Sequence, residues 1–375
     1  MTARSRDAVS APVEAVSAAA YTIPTDRPEG DGTLAWDATT IVVVHVSGGG
    51  ERGLGWTYTT AACARLVADV LADAVTGLDL ADVPRALETM VRACRNYGRP
   101  GIASCAISAV ETALWDLKAR VLGVALASLL GRGRDEVPIY GSGGFTTYDD
   151  ATTRAQVDLW VGEWSIPRVK IKIGESWGTR VDRDLERVRH VRSLVGDDVE
   201  VYVDANGGYT RKEAVRVGLS MFEESRVTWF EEPVSSDDLD GLREVRDRVP
   251  SDVAAGEYGW DLVYFDRMVA AGSIDCLQID VTRCGGYLEW QRAAALAGAR
   301  SLEVSGHCAP NLHAHVGVGV ANLRHLEYFH DHHRVEQMLF EGTLDPKGGT
   351  LVPDLSRPGN GMELKEADAE RYRVA

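Results

Sequence analysis

Two lysines one residue apart, Lys170 and Lys172, stand in VKIKIGE at 169–175. Val169, Ile171 and Ile173 alternate with them, a period of two that predicts a strand with both ammonium groups on one side. A strand in an alternating strand–helix chain is usually apolar on both faces. Two cations on one face therefore need carboxylates, a ligand or water. For this pair alone the ordinary explanation is an edge strand with a solvated face. What displaces it is a series of polar residues closing the later apolar runs: Asp204 and Asn206 after VEVYVD, Glu231 and Glu232 in VTWFEE, Glu257 in DVAAGE, Asp280 in IDCLQID, His307 in LEVSGH and Glu327 in LRHLEY.

Three acids from successive strand ends, Asp204, Glu231 and Glu257, suit a hard divalent cation such as Mg²⁺, which takes oxygen ligands and keeps waters that a substrate displaces. Each acid alone is explained as well by a helix cap or a surface charge. Three at the same strand-relative position are not. Lys172 is the candidate base, its pKa expected to be lowered by the Lys170 cation and a nearby metal, while Lys170 stays charged and binds a substrate carboxylate. His307 and Asp280 form a candidate dyad in which the aspartate fixes the imidazole tautomer. Glu327, if protonated, would donate to an oxygen that gains charge; otherwise it is a solvated strand-end acid. Asn206 is a candidate substrate hydrogen-bonder or a turn residue before Gly207 and Gly208. Glu232, next to Glu231, should face the other way. The histidines of FHDHHR at 329–334 lack a strong zinc spacing. They are expected in a loop, solvated or touching substrate.

The elements that must position these residues are legible in the spacing. VPIYGSG, VKIKIG, VEVYVD, VTWFEE, DVAAGE, IDCLQID, LEVSGH and LRHLEY recur roughly every 25–30 residues, with amphipathic helical stretches between most of them, the rhythm of a (β/α)₈ barrel. All C-terminal strand ends of such a barrel meet at one rim, where the polar residues fall. An open doubly wound sheet would want a Gly-rich phosphate loop after its first strand; GSGG at 141–144 lacks the GxGxxG continuation. Before the barrel, strands are expected near 13–20, 39–46 and 53–58, with a loop at 22–36, and helices at 60–75, 82–95 and 102–122. The division is thus an α+β unit at 1–134, the barrel at 135–337 and a tail at 338–375 that packs back on the first unit. Residues 1–10 are expected to be mobile, and residues 1–20, interrupted by Glu14, show no apolar core of a signal peptide.

Composition narrows the function classes. The chain of 375 residues is 45% hydrophobic and 26% charged, as in soluble globular enzymes. Its net charge of −16 and lack of a basic stripe argue against nucleic acid. An anionic substrate would have to be held by local positive charge. No apolar run is long enough to span a membrane. The six cysteines show no CxxC spacing and read as reduced core thiols of a cytoplasmic protein.

Taken together, AISAVETALWDLKAR before the barrel, then VKIKIG, VDANGGY, FEEP, AAGE, QIDVTRCGG, SGH and HLEY, resemble the mandelate racemase group of the enolase superfamily. That superfamily is already known for a Lys or His base working with Mg²⁺ on an ene-diolate, so this chemistry is implied by the resemblance rather than deduced from the chain. The resemblance implies an α+β cap on a modified (β/α)₇β barrel, one Mg²⁺ per subunit on Asp204, Glu231 and Glu257, Lys172 as base on one face and His307–Asp280 on the other. Lys170 and Glu327 would hold the carboxylate. It implies a small-molecule carboxylate substrate, often a homo-oligomer, and closing loops near 23–36 and 53–60 in which Trp36, Trp56 and Tyr58 are candidate lining residues or, equally, core of the cap. The muconate cycloisomerase group expects a lysine on the sixth strand, where this chain has Asp280. The expected reaction is proton abstraction α to a carboxylate followed by loss of water from an acid sugar; racemisation or epimerisation of a 2-hydroxy acid is the alternative, and a silent sugar-acid binding protein a third.

Overall fold

A computed structural model describes residues 10–375; the expectation for the segment before Ser10 lies outside them. Three long strands, β1 (Ala15–Gly30), β2 (Ala35–Gly48) and β3 (Glu51–Tyr58), form an antiparallel sheet in that order. Most of the expected loop at 22–36 is strand. Pro24 and Pro28 are tolerated because β1 is an edge strand, where a missing N–H costs no ladder bond, and the register breaks between Pro24 and Glu29. Helix Ile102–Leu122 crosses the sheet so closely that a Cβ on Gly53 would lie 2.2 Å from the Ala113 carbonyl, and one on Gly55 2.3 Å from that of Ala109. The alanines on the helix and glycines on β3 are two halves of one close approach.

The eight expected segments become β4 (Val137–Gly143), β5 (Arg168–Lys172), β6 (Glu200–Asp204), β7 (Val227–Glu231), β8 (Asp252–Ala255), β9 (Cys276–Ile279), β10 (Glu303–Gly306) and β11 (Leu323–Phe329). Each pairs in parallel with the next, and β11 closes on β4, giving an eight-stranded α/β barrel. GSGG serves packing: a Cβ on Gly141 would lie 2.5 Å from the Trp160 indole. On β5, Val169 and Ile171 join the shell under the helices, while Lys170 and Lys172 turn inward. Beneath them Tyr140, Tyr202, Trp229 and Cys276 fill the barrel with His325, whose ring centroid is 4.7 Å from that of Tyr140. This aromatic floor keeps water from below and leaves the lysines one way to point.

The turn between β1 and β2 lies over the rim. Thr146 N–H donates to the Gly30 carbonyl at 2.8 Å and Trp177 N–H to that of Gly32 at 2.8 Å, and a Cβ on Gly32 would sit 2.6 Å from the Ile173 carbonyl. From the far end of the chain, Tyr372 and Ala375 carbonyls accept hydrogen bonds from Thr22 and Ala20 of β1, and Thr350–Leu351 pairs antiparallel with β4. No helix of the described residues is long and apolar enough to cross a membrane.

Candidate active site

The rim gathers the ionisable residues into one buried array. Ligating oxygens of Asp204, Glu231 and Glu257 lie within 4.8 Å of one another, and all three side chains are buried. Burial pushes the Glu231 pKa well up, and Asp204 and Glu327 push it further against the opposing pull of Lys170. Hard oxygen donors under such mutual repulsion are what a divalent cation relieves, so the residues present fit Mg²⁺.

Lys172 Nζ lies 2.5 Å from Asp204 Oδ2. Lys170, fully buried, ion-pairs with Glu231, reaches Glu327 Oε1 at 2.8 Å and lies 3.6 Å from Asp204 Oδ2. Burial and Lys170 lower the Lys172 pKa as expected, but from the protein groups alone Asp204, with Glu327 and Glu231, outweighs them and holds the amine above its ordinary range. The idea of a protonated Glu327 fails similarly: burial would raise its pKa, yet Lys170, His307 and Lys172 together hold it well below the usual carboxylate range. Its Oε1 accepts from Ser142 Oγ at 2.6 Å and its Oε2 from Cys308 N–H at 3.0 Å.

At the other end of the array His307 Nδ1 is 2.8 Å from Asp280 Oδ2. Asp280 Oδ1 accepts from the N–H and the hydroxyl of Thr282, both at 2.7 Å, and Arg283 Nε lies 3.4 Å from Oδ2. Burial would raise the Asp280 pKa, but the His307 hydrogen bond and Arg283 hold it far below the usual range. An ionised Asp280 places the proton on Nδ1 and leaves Nε2 basic. That nitrogen is 3.3 Å from Glu257 Oε2 and 3.7 Å from Glu327 Oε2. Lys172 and His307 thus abut the two outer members of the acid trio, Asp204 and Glu257.

Asn206 takes a left-handed conformation (φ +45°); its N–H donates to Asp204 Oδ1 at 2.9 Å and its buried Oδ1 has no partner. Glu232 does not continue the strand alternation. With φ +37° it turns off β7, and its buried carboxyl, Oε1 unpartnered, is raised well above the usual range by burial and then by Glu257 and Asp204. The adjacent acids of FEE were its only sequence signal. Cys308 gave none: its Sγ lies 3.3 Å from His307 Nε2 and 3.4 Å from Glu327 Oε2.

The histidines of FHDHHR do not lie in a loop. They open helix His330–Leu339, and His332 and His333 are buried. His332 stacks on Tyr58 with ring centroids 3.4 Å apart, His333 Nδ1 meets the Tyr328 hydroxyl at 2.6 Å, and His330 faces Asp26 at 3.3 Å. His332 is thus buried against β3, and His333 against the barrel, between Trp164, with ring centroids 5.3 Å apart, and Tyr328. Trp56 is core: it is fully buried and its Nε1–H donates to Glu336 Oε1 at 3.1 Å, beside the Tyr58 hydroxyl at 3.0 Å. Trp36, at the start of β2 just after the turn over the rim, is edge-on to Phe145 at 5.6 Å.

Residues 24–131 match the model of the mandelate racemase / muconate lactonizing enzyme N-terminal domain, and residues 152–368 the enolase C-terminal domain-like model. The chain belongs to this family. It is 31% identical, over 94% of its length and 97% of the relative's, to the 3,6-anhydro-alpha-L-galactonate cycloisomerase of Streptomyces coelicolor. With the L-talarate/galactarate dehydratase of Salmonella typhimurium it shares 29% identity over 87% of this chain and 81% of the other. The crystal structure of that dehydratase with Mg and L-lyxarohydroxamate superimposes with a TM-score of 0.88 at 25% identity, covering 100% of this chain and 96% of that one. A mandelate racemase/muconate lactonizing enzyme-like protein from Rubrobacter xylanophilus superimposes with a TM-score of 0.93 at 48% identity, over 97% of this chain and 100% of that one.

Proposed function

We propose that this family member is a Mg²⁺-dependent enzyme that abstracts the proton α to a carboxylate and then expels water from a hydroxylated acid. The reading is carried by one observation: the two groups able to move protons, Lys172 and His307, abut opposite ends of the Asp204–Glu231–Glu257 trio. Those three carboxylates would hold Mg²⁺, which supplies positive charge against the negative charge that develops on the substrate carboxylate. Lys170, fixed by Glu231 and Glu327, pairs with that carboxylate. Lys172, released from Asp204 once that carboxylate's charge is taken up elsewhere, accepts the α-proton at Nζ. His307 Nε2 stands where a leaving β-hydroxyl needs a proton, and Asp280 stabilises the imidazolium before transfer. The dehydratase named among the relatives supports elimination as the second step.

The same pair of groups favours one other outcome, return of a proton to the opposite face, which gives an epimer. Incubation with aldonic and aldaric acids and Mg²⁺ in deuterium oxide separates them. Dehydration gives a 2-keto acid trapped by semicarbazide; epimerisation gives α-deuterated substrate of altered optical rotation. No exchange and no product with any acid, in protein shown to bind Mg²⁺, would refute the proposal.

A further inference from the structure

We propose that Asp26, Glu29 and His330 form a second metal site, chemically unlike the acid trio at the rim and taking Zn²⁺ in preference to Mg²⁺ or Mn²⁺. His330 opens the helix that follows β11 and is 304 residues from Asp26 in sequence, yet its Nε2 lies 3.3 Å from both Asp26 carboxylate oxygens. Glu29 completes the group, with one ligating atom from each residue within 4.8 Å of the others. Two ligands bound at about 2.0–2.1 Å around a tetrahedral ion stand about 3.3 Å apart, so the His330–Asp26 pair is already at ligand spacing.

The backbone is shaped to bring this group together. Residues three apart on a regular strand face opposite sides. On β1 four residues, 25–28, oppose Asp37 alone on β2, between the pairs Pro24–Ala38 and Glu29–Trp36. That bulge lets Asp26 and Glu29 meet the same histidine. Glu29 is fully buried. Its Oε2 accepts from Trp36 Nε1–H at 2.9 Å, and its Oε1 has no partner among the described residues. Burial, and then the charges of Asp331 and Asp26, push its pKa up to about 9. A buried carboxyl anchored by an indole through one oxygen, with the other oxygen unsatisfied, is how a metal ligand is held by an outer partner.

Arg334 acts on both acids from a distance, but its donors go to Asp331, at 2.7 Å, and to the Pro24 carbonyl, at 2.9 Å. Two carboxylates and an imidazole then balance a dication. Asp26 is exposed, which gives the ion a way in. The nitrogen donor sets the selectivity: imidazole suits Zn²⁺, while Mg²⁺ and Mn²⁺ favour the all-oxygen trio. A bound ion would tie the bulge of β1, just before the turn over the rim, to the end of β11, where the Phe329 ring centroid is 5.9 Å from Lys172 Nζ.

The test is Zn²⁺ titration of the full chain in excess Mg²⁺, beside His330→Ala under the same conditions. The parent should take about one equivalent more than the variant; equal stoichiometry overturns the proposal. Should His330→Ala not fold, Asp26→Asn, at an exposed position, takes its place and should weaken that equivalent at least about tenfold; unchanged affinity overturns it equally. Parent crystals grown with Mg²⁺ and soaked in Zn²⁺ should show an anomalous peak about 2.0–2.2 Å from His330 Nε2 and from a carboxylate oxygen of Asp26 and of Glu29. No peak there refutes the site. Mn²⁺ should compete for this equivalent at least about tenfold more weakly than Zn²⁺, and equal competition refutes the selectivity. None of these readouts depends on turnover, so the site can fail without the reaction proposed above failing with it.

Discussion

The two flanks of the acid trio are built differently. On the Lys172 side the proton-moving group is bonded to a carboxylate that is itself a candidate metal ligand, Asp204. On the His307 side the group is held by a carboxylate outside the trio, Asp280, whose second oxygen is already occupied by Thr282. The imidazole is therefore preorganised by the fold. In the proposed reaction the amine would become a base only when a cation takes over its aspartate. The proposal thus gives the site a flank that would depend on the metal and a flank that would not, and each could be disabled without the other.

Lys172→Met should break the metal-dependent flank. Turnover and α-deuterium exchange should fall together by about 10³–10⁴-fold, measured by mass spectrometry in deuterium oxide. His307→Asn should break the other flank: product formation should drop by about 10²–10⁴-fold, while exchange of the α-proton of a Lys172-facing substrate persists. Loss of exchange in both variants would erase the distinction between the flanks.

Asp280→Asn sharpens the comparison, since it leaves the ring in place and removes what sets its tautomer. A loss of about 10²-fold in turnover is expected. It also has a stability readout. The Asp280 pKa in the folded chain lies below the unfolded value of about 4. Its ionised form therefore stabilises the fold fully above that pH, and the benefit is lost as pH falls through the folded pKa. The variant should melt below the parent at pH 7, and the gap should close in acid. Cys308→Ser, touching His307 but carrying no proton in the proposed reaction, should change kcat/KM by less than about tenfold.

Much of this was legible beforehand because it rests on periodicity. Alternation in VKIKIG and the recurrence of acid-tipped apolar runs need only the pleat of a strand and the common direction of parallel strands. What escaped were features set by local conformation and by partners distant in sequence. Glu232 and Cys308 sit where positive φ values (+37° and +51°) end the alternation. The directions of the Lys172 and Glu327 pKa shifts follow from a balance that also involves Lys170, Asp204, Glu231 and His307, invisible until the strands are in register. FHDHHR looked solvated because its burial is supplied largely from far away in sequence, by Tyr58 over His332 and Trp164 beside His333. The first strand was expected to end near residue 20 and runs to Gly30, because an edge strand tolerates Pro24 and Pro28.

The most direct test of the central claim is a crystal structure grown with Mn²⁺ in place of Mg²⁺ and measured for anomalous scattering. The account predicts one strong peak bonded to Asp204, Glu231 and Glu257, with Lys172 moved off Asp204 and His307 still on Asp280. No peak at that trio, or a peak only at the Asp26–Glu29–His330 cluster, whose ligating atoms also lie within 4.8 Å of one another, would contradict it.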